Sequence, residues 1–249
     1  SLTDAGKRVH ECAERIFELY AEMDNSVREL TGDISGVLIL GASTTIAEYM
    51  LPVLLGDFKV KYPDITIRLK VANTDGIVSQ VENNTIDLGV VEASVNNKNL
   101  VVEKCRTDHL VLIVPPGHEL AKEEVVPIKR VADYPFICRE EGSGTREVMI
   151  ESMHDAGVST SDLNIVMELG SLEAIKGAVE SGMGVSILSN ATIQKELKLG
   201  TLAAVQIDPP IDRPFSFVHQ KQKFRVRAMD ELLSFARNYC RSHQDEPLG

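Results

Sequence analysis

The chain has no tryptophan, and aromatic residues make up only 5% of its 249 positions. A platform for single-stranded nucleic acid stacks bases on aromatic rings, so this composition speaks against one. Basic residues are also in deficit: 26 Lys and Arg stand against 37 Asp and Glu, a net charge of −11. A chain of that sign repels a phosphate backbone, so these residues alone make a poor DNA or RNA binder. Cysteine is scarce. Cys12, Cys105, Cys138 and Cys240 form no Cys-x-x-Cys pair and are too few to staple a chain this long, which predicts reduced thiols in a reducing compartment. His10, His109, His118, His154, His219 and His243 have no metal-ligand spacing. No basic segment followed by an apolar one opens the sequence, so no signal peptide is read, and no apolar run approaches a membrane span. Together these absences predict a cytoplasmic protein with no membrane contact, no metal and no cofactor.

What is present is globular in kind, 43% hydrophobic and 25% charged, and long enough for two compact cores. Residues 1–32 stand apart. Val9, Ile16, Met23 and Leu30 recur every seven residues, and Leu19, Tyr20 and Val27 widen the stripe. This predicts a helix of about four heptads with an apolar seam, stopped at Thr31-Gly32-Asp33 by a glycine just past its end. We read it as a dimerisation helix, the alternative being a helix packed on its own domain.

From Gly36 onward, strand and helix signals alternate. Strands are expected at 37–40, 65–71, 86–91, 110–114, 135–138, 165–169, 185–188, 202–207 and 215–219, with helices between most of them and a last helix over 226–239. Such alternation predicts a mostly parallel sheet. Pro115-Pro116-Gly117, and Asp208-Pro209-Pro210 closed by Pro214, read as rigid breaks. They divide the body into one lobe of residues 36–115 and 212–241 and a second of residues 116–211. The segment 65–91 is loosely echoed by 165–188. The fold predicted is α/β, two Rossmann-like lobes joined by a hinge and preceded by the N-terminal helix.

Motifs for chemistry are sparse. Gly142-Ser143-Gly144-Thr145-Arg146 lacks the Gly-Lys-Ser/Thr ending of a phosphate loop, and no Gly-x-Gly-x-x-Gly follows the first strand. Nor is there a Gly-x-Ser-x-Gly nucleophile frame. What recurs is hydroxyl and glycine residues where strands hand over to helices: Ser43, Thr44 and Thr45; Thr74-Asp75-Gly76; Ser143, Gly144 and Thr145; Gly170-Ser171. Two readings stand open. These residues either cap helices or line a cleft at the carboxyl ends of strands, where α/β sheets bind ligands. In the second case, helix N-termini and hydroxyls would hold a small anion with no Lys or Arg in the turns. Arg146 alone lies near, and it reads rather as a solvated first-turn residue.

The ordered set Leu2-Thr3-Asp4-Ala5-Gly6, Gly41-Ala42-Ser43-Thr44-Thr45, Leu51-Pro52, Phe58, Tyr62-Pro63-Asp64, Ile86-Asp87-Leu88-Gly89-Val90 and Gly182-Met183-Gly184-Val185-Ser186-Ile187-Leu188 resembles the LysR-type transcriptional regulators. The resemblance covers essentially the whole chain. It implies a type 2 periplasmic-binding-protein-like fold, an effector between two lobes, and assembly into dimers or tetramers. The family's winged helix-turn-helix would precede Leu2. The chain therefore looks like a linker helix and effector-binding domain, reaching DNA only through that missing part. Carried over by position, the effector-facing residues are Ser43, Thr44, Thr45, Thr74, Glu92, Ser143, Gly144, Thr145 and Ser171. Glu92 would repel an anion unless it turned away or met a cation. The string from Glu141 to Arg146 is similar to regulators of sulfur or carbon assimilation, which implies a sulfur oxyanion or a small organic acid as inducer. The alternatives are a solute-binding protein of a transport system, or an enzyme on the same two-lobe fold, for which no acid, base or nucleophile set is seen.

Overall fold

The computed structural model of the chain describes residues 3–31, 34–92, 95–221 and 227–242. Its first element is α1 (Asp4–Thr31). The seam of α1 faces outward: Val9, Ile16, Phe17, Leu19, Tyr20 and Met23 are each more than half exposed. None of them belongs to a buried cluster. The side chains of Val27 and Leu30, and the expected stop at Gly32 and Asp33, lie outside the described residues.

The body begins with β1 (Gly36–Ser43), α2 (Thr44–Tyr49), α3 (Leu51–Lys61), β2 (Ile65–Ala72), α4 (Thr74–Glu82) and β3 (Leu88–Val91). Pro52 sits in the first turn of α3, where its missing N–H costs nothing. β2 and β3 both run parallel to β1, so the three strands end on one side, at Ser43, Ala72 and Val91. Apolar alternation sorts the faces. Leu38, Leu40 and Ala42 of β1 pack against α2 and α3, while Ile77 and Val81 of α4 cover the other face.

The chain then enters β4 (Leu100–Val114), and after β5 (Val125–Pro127) come β6 (Pro135–Arg139), α5 (Gly144–Asp155), β7 (Asn164–Leu169) and α6 (Leu172–Glu180). β8 (Ser186–Ser189), α7 (Gln194–Leu199), β9 (Ala203–Asp208), β10 (Ile211–Gln220) and α8 (Arg227–Ser242) complete it. The second lobe repeats the first lobe's logic. Apolar residues of α5 fill one side of its sheet and those of α6 the other.

The sheet is mixed rather than mostly parallel. β10 runs antiparallel to β3 and β4, and β4 antiparallel to β8 and β9. The reason is the return path: a chain that crosses to the second lobe on β4 and comes back on β10 must lay those strands in opposite directions. Residues 110–114 of β4 already pair with β8 and β9, and Leu110, Leu112 and Val114 sit in the second lobe's core. The crossing thus falls inside β4, ahead of Pro115. Its first half, Leu100–His109, reads poorly as a strand because Glu103, Lys104, Arg106 and Asp108 interrupt the apolar pattern.

The cysteines depart from expectation. Cys105 and Cys240 form a disulfide with Cα atoms 5.7 Å apart, whereas Cys12 is exposed and free and Cys138 is buried and free. Their 135-residue separation hides the pair from any reading of spacing, because only the fold brings α8 onto β4.

Candidate functional site: a buried polar cleft between the lobes

The parallel register of β1, β2 and β3 brings Ser43, Thr74 and Glu92 to neighbouring strand ends. Ser143, Gly144 and Thr145 open α5 on the facing lobe. Ser43, Thr45, Thr74, Glu92, Ser143 and Thr145 are all buried, and Thr44 is half-buried.

Capping does not account for most of these hydroxyls. Ser43 and Ser143 occupy N-cap positions yet cap nothing with their side chains. Asn73, not Thr74, caps α4, its side chain accepting from the Gly76 N–H at 3.0 Å. The hydroxyls of Ser43, Thr74 and Ser143 are left buried without a hydrogen-bond partner. Leaving such a group unsatisfied costs about 1–3 kcal/mol. Ser171 is different: it is exposed, and its Oγ accepts from the Ala174 N–H at 3.3 Å as an ordinary cap of α6. It stands apart from the buried cluster.

Gly144 serves closeness. A Cβ there would stand 2.1 Å from the Glu92 carbonyl oxygen and 2.8 Å from Thr74 Oγ1, so only glycine lets the start of α5 press onto the first lobe. Two bonds hold the same seam: Asn73 Nδ2 donates to the Glu141 carbonyl at 3.0 Å, and the Asp75 N–H donates to the Gly142 carbonyl at 3.3 Å. On the cleft's other flank the Tyr49 hydroxyl of α2 donates to Glu173 of α6 at 3.2 Å and accepts from Lys176 at 3.3 Å. Lys176 is buried, and burial pulls its pKa down. The hydrogen bonds it donates to Glu173, Glu196 and Tyr49 outweigh burial and hold the pKa above the ordinary lysine value.

The turns themselves hold no Lys or Arg, but basic side chains reach into the cleft from the strands. Arg213 of β10 lies fully buried at its centre. Its Nε donates to Asp108 Oδ2 at 2.7 Å and its Nη1 to Thr145 Oγ1 at 2.7 Å. Nη2 stands 2.9 Å from Glu92 Oε2, although neither atom completes a hydrogen bond. Asp108 is steadied in turn by the Ser189 hydroxyl at 2.7 Å. Arg213 therefore joins the first lobe (Glu92), the crossing strand (Asp108) and the second lobe (Thr145). Glu92 meets a guanidinium, which is why a carboxylate is tolerated there. Burial pushes its pKa above the usual carboxylate range, with Asp108 adding to the rise; Arg213, Thr45 and Arg139 pull the other way and do not cancel it.

Arg139, at the carboxyl end of β6, is also buried. Its Nε and Nη2 donate to Glu140 at 2.8 and 3.0 Å, while Nη1 is buried with no partner. Arg146 is engaged elsewhere, donating to the Arg139 carbonyl at 3.0 Å and to Glu168 at 2.5 Å. Sequence reasoning passed over Arg139, Asp108 and Arg213 because it looked only in the turns. The one available signal was a charged residue inside an otherwise apolar strand, as at Arg213 before Pro214 and Phe215. Among the described residues no three His, Cys, Asp or Glu side chains are grouped to hold a metal, and no helix is long and apolar enough to cross a membrane.

Comparison with known proteins places this architecture. The LysR substrate binding domain matches residues 31–241. A probable RuBisCO transcriptional regulator of Cyanidium caldarium is 35% identical over 233 residues, covering 92% of this chain and 74% of that protein. An uncharacterised helix-turn-helix-type transcriptional regulator of Methanocaldococcus jannaschii is 34% identical over 206 residues, 83% of this chain and 69% of the relative. Among solved structures, the CcmR regulatory domain of Synechocystis, in complex with 2-phosphoglycolate, superposes with a TM-score of 0.76 at 34% identity, over 83% of this chain and 98% of that one. The effector-binding domain of QuiR with shikimate gives a TM-score of 0.76 at 23% identity, over 84% and 99%, a likeness of fold. With two lobes joined by paired crossing strands, the chain belongs to the LysR-type transcriptional regulators, and residues 31–241 are the family's effector-sensing domain.

Proposed function

We propose that the cleft senses a small organic anion with two acidic ends, a phospho-carboxylate of the kind bound by the CcmR domain, rather than a sulfur oxyanion. One observation carries this: Arg139 Nη1 and the hydroxyls of Ser43, Thr74 and Ser143 are buried in the same cleft with no partner in the protein. Ser43 and Thr74 belong to one lobe, Arg139 and Ser143 to the other, so a ligand acidic at both ends would satisfy both sets and draw the lobes together. The N-termini of α4 and α5 bring partial positive charge to the same space. Glu92 and Asp108 are neutralised against Arg213, and a proton on Glu92 would reduce their repulsion of an incoming anion. Thr145 orients Arg213, Thr45 adds a further buried hydroxyl without a partner, Gly144 permits the approach, and Ser171 is left out as a cap.

On this reading α1 is the self-association helix, since an apolar stripe on a free chain would face water, and transcription is controlled in the cytoplasm, where the DNA is. The lobes are divided where the cores divide, within β4 and at the start of β10. The test is thermal unfolding at fixed ionic strength with 2-phosphoglycolate, glycolate, phosphate, sulfate and shikimate. A ligand at about 100 times its Kd adds about 2.7 kcal/mol, which is about 5–10 °C in Tm for a chain of this size. The two-ended anion is expected to give the largest shift, and Arg139→Gln and Ser143→Ala to abolish most of it. Equal shifts from every anion, or the same shift in the variants, would overturn the reading.

A further inference from the structure

Cys105 occupies the one irregular place in the β4–β10 pairing. Phe215 pairs with Arg106 and Ser216 with Lys104, so Cys105 is the extra residue of a bulge, a position freed from the regular alternation. Cys240 lies on the buried face of the last turn of α8. Their Cα separation of 5.7 Å is at the favoured span for a disulfide. The other thiols are out of reach, Cys12 on the exposed helix α1 and Cys138 in the second lobe's core. α8 is otherwise held by Phe235 edge-on to Phe58, by the Tyr62 hydroxyl donating to Glu231 at 2.5 Å, and by Arg237 donating to Glu103 at 2.6 Å. These contacts lie at or before residue 237. Beyond them Tyr239 packs partly against the core, and the disulfide supplies the covalent hold.

A regulator that works where DNA is read works in a reducing compartment, where a disulfide persists only against the thiol pool. We infer that Cys105 and Cys240 are a reversible thiol–disulfide couple, a site of oxidative modification that ties the end of α8 to β4 when oxidised and releases it when reduced. The co-reactant is a low-molecular-weight disulfide such as oxidised glutathione. The two protein thiols lose two protons and two electrons and become joined, while the sulfur–sulfur bond of the reagent breaks and takes up both, leaving two small thiols. In the reverse direction a small thiolate attacks Cys105, which is half-buried, and the buried Cys240 leaves as thiolate and takes a proton; a second small thiolate then attacks the outer sulfur of the mixed disulfide on Cys105, releasing the small disulfide and the Cys105 thiolate, which takes the second proton. The inference rests on the reading of the chain as a regulator at work beside DNA, but not on its effector, since none of the cleft residues takes part.

The experiment equilibrates the folded chain with glutathione at graded ratios of reduced to oxidised form, quenches with iodoacetamide and maps the labelled peptides by mass spectrometry. Cys105 and Cys240 are expected to lose and regain labelling together as the ratio is swept. The oxidised chain should melt about 5–15 °C above the reduced one, because the closed loop is long, and amides of residues 238–242 should exchange faster after reduction. Cys240→Ala should hold the chain at the reduced Tm whatever the ratio; if that variant fails to fold, labelling of the parent carries the test alone. A bridge that survives excess reduced glutathione in the folded chain would be a permanent staple and would overturn the inference. So would alkylation of both thiols under oxidised glutathione, or a Tm indifferent to the ratio.

Discussion

Gly144→Ala adds one methyl at the point where the lobes meet. The new Cβ would stand 2.1 Å from the Glu92 carbonyl oxygen, against about 3.4 Å for ordinary contact, and 2.8 Å from Thr74 Oγ1. The start of α5 must therefore retreat by about 1.3 Å, since the atom met is a backbone carbonyl oxygen and not the far end of a flexible side chain. Gly144 does not have a positive φ, so alanine brings no backbone strain and the effect is purely steric. Overpacking of this kind costs about 1–3 kcal/mol. The cost falls on the closed arrangement alone, because opening the hinge relieves it. Effector affinity, which depends on closure, should fall by about 5–150-fold, while the Tm of the free chain drops by less than that energy implies. Retreat of α5 would also loosen the Arg213–Thr145 bond, now 2.7 Å. Isothermal titration with 2-phosphoglycolate, beside thermal melts without ligand, reads both effects. Gly177→Ala is the control: it lies within α6 with nothing inside 4 Å of its Cβ. An affinity unchanged by Gly144→Ala would refute the idea that this contact belongs to the liganded state.

That control carries its own expectation, a gain of about 0.5–1 kcal/mol in urea unfolding, since alanine replaces glycine inside a helix. Ser171→Ala should cost about 1 kcal/mol of stability as a lost cap and leave effector affinity alone. Ser143→Ala should do the reverse, sparing stability and weakening the anion about tenfold or more. Arg213→Met strands Glu92 and Asp108 without their cation and should cost about 3–5 kcal/mol; a loss under 1 kcal/mol in denaturant titration would contradict the buried network. For Glu92, burial raises the folded pKa above 4.5, so the parent loses stability as pH rises from there through the folded value. Glu92→Gln removes that loss, and its stability relative to the parent should grow as pH rises above 4.5; a difference independent of pH would argue against a raised carboxyl.

Much of the body was legible because its signals are local. A short apolar run marks β1, alternating apolar residues mark β2, and Pro52 marks the opening of α3. The strand ends that carry Ser43, Thr74 and Ser143 followed from that alternation, since residues just beyond a parallel strand must face the cleft. Whether a hydroxyl there caps a helix was not legible. Asn73 relieves Thr74 of that duty, whereas Ser171 performs it, and both depend on side-chain geometry that a sequence does not display. Arg213, Asp108 and Arg139 were hidden for another reason: they act through partners from far along the chain. Arg213 stands 105 residues from Asp108 and 68 from Thr145, so its charge makes sense only once the lobes are closed around it. The first half of β4 is not legible because charged residues, Arg106 and Asp108, take buried positions where apolar ones would mark a strand. The Cys105–Cys240 bridge was missed because composition argues about compartments, while a disulfide depends on where two Cβ atoms come to rest.

The most direct test is the crystal structure of the chain grown with 2-phosphoglycolate. The account predicts one anion between the lobes, with oxygens within hydrogen-bond distance of Arg139 Nη1 and of the hydroxyls of Ser43, Thr74 and Ser143, while Arg213 stays with Asp108 and Thr145 and Ser171 continues to cap α6. An anion seated on surface lysines or arginines, with those four groups still unpartnered, would contradict it.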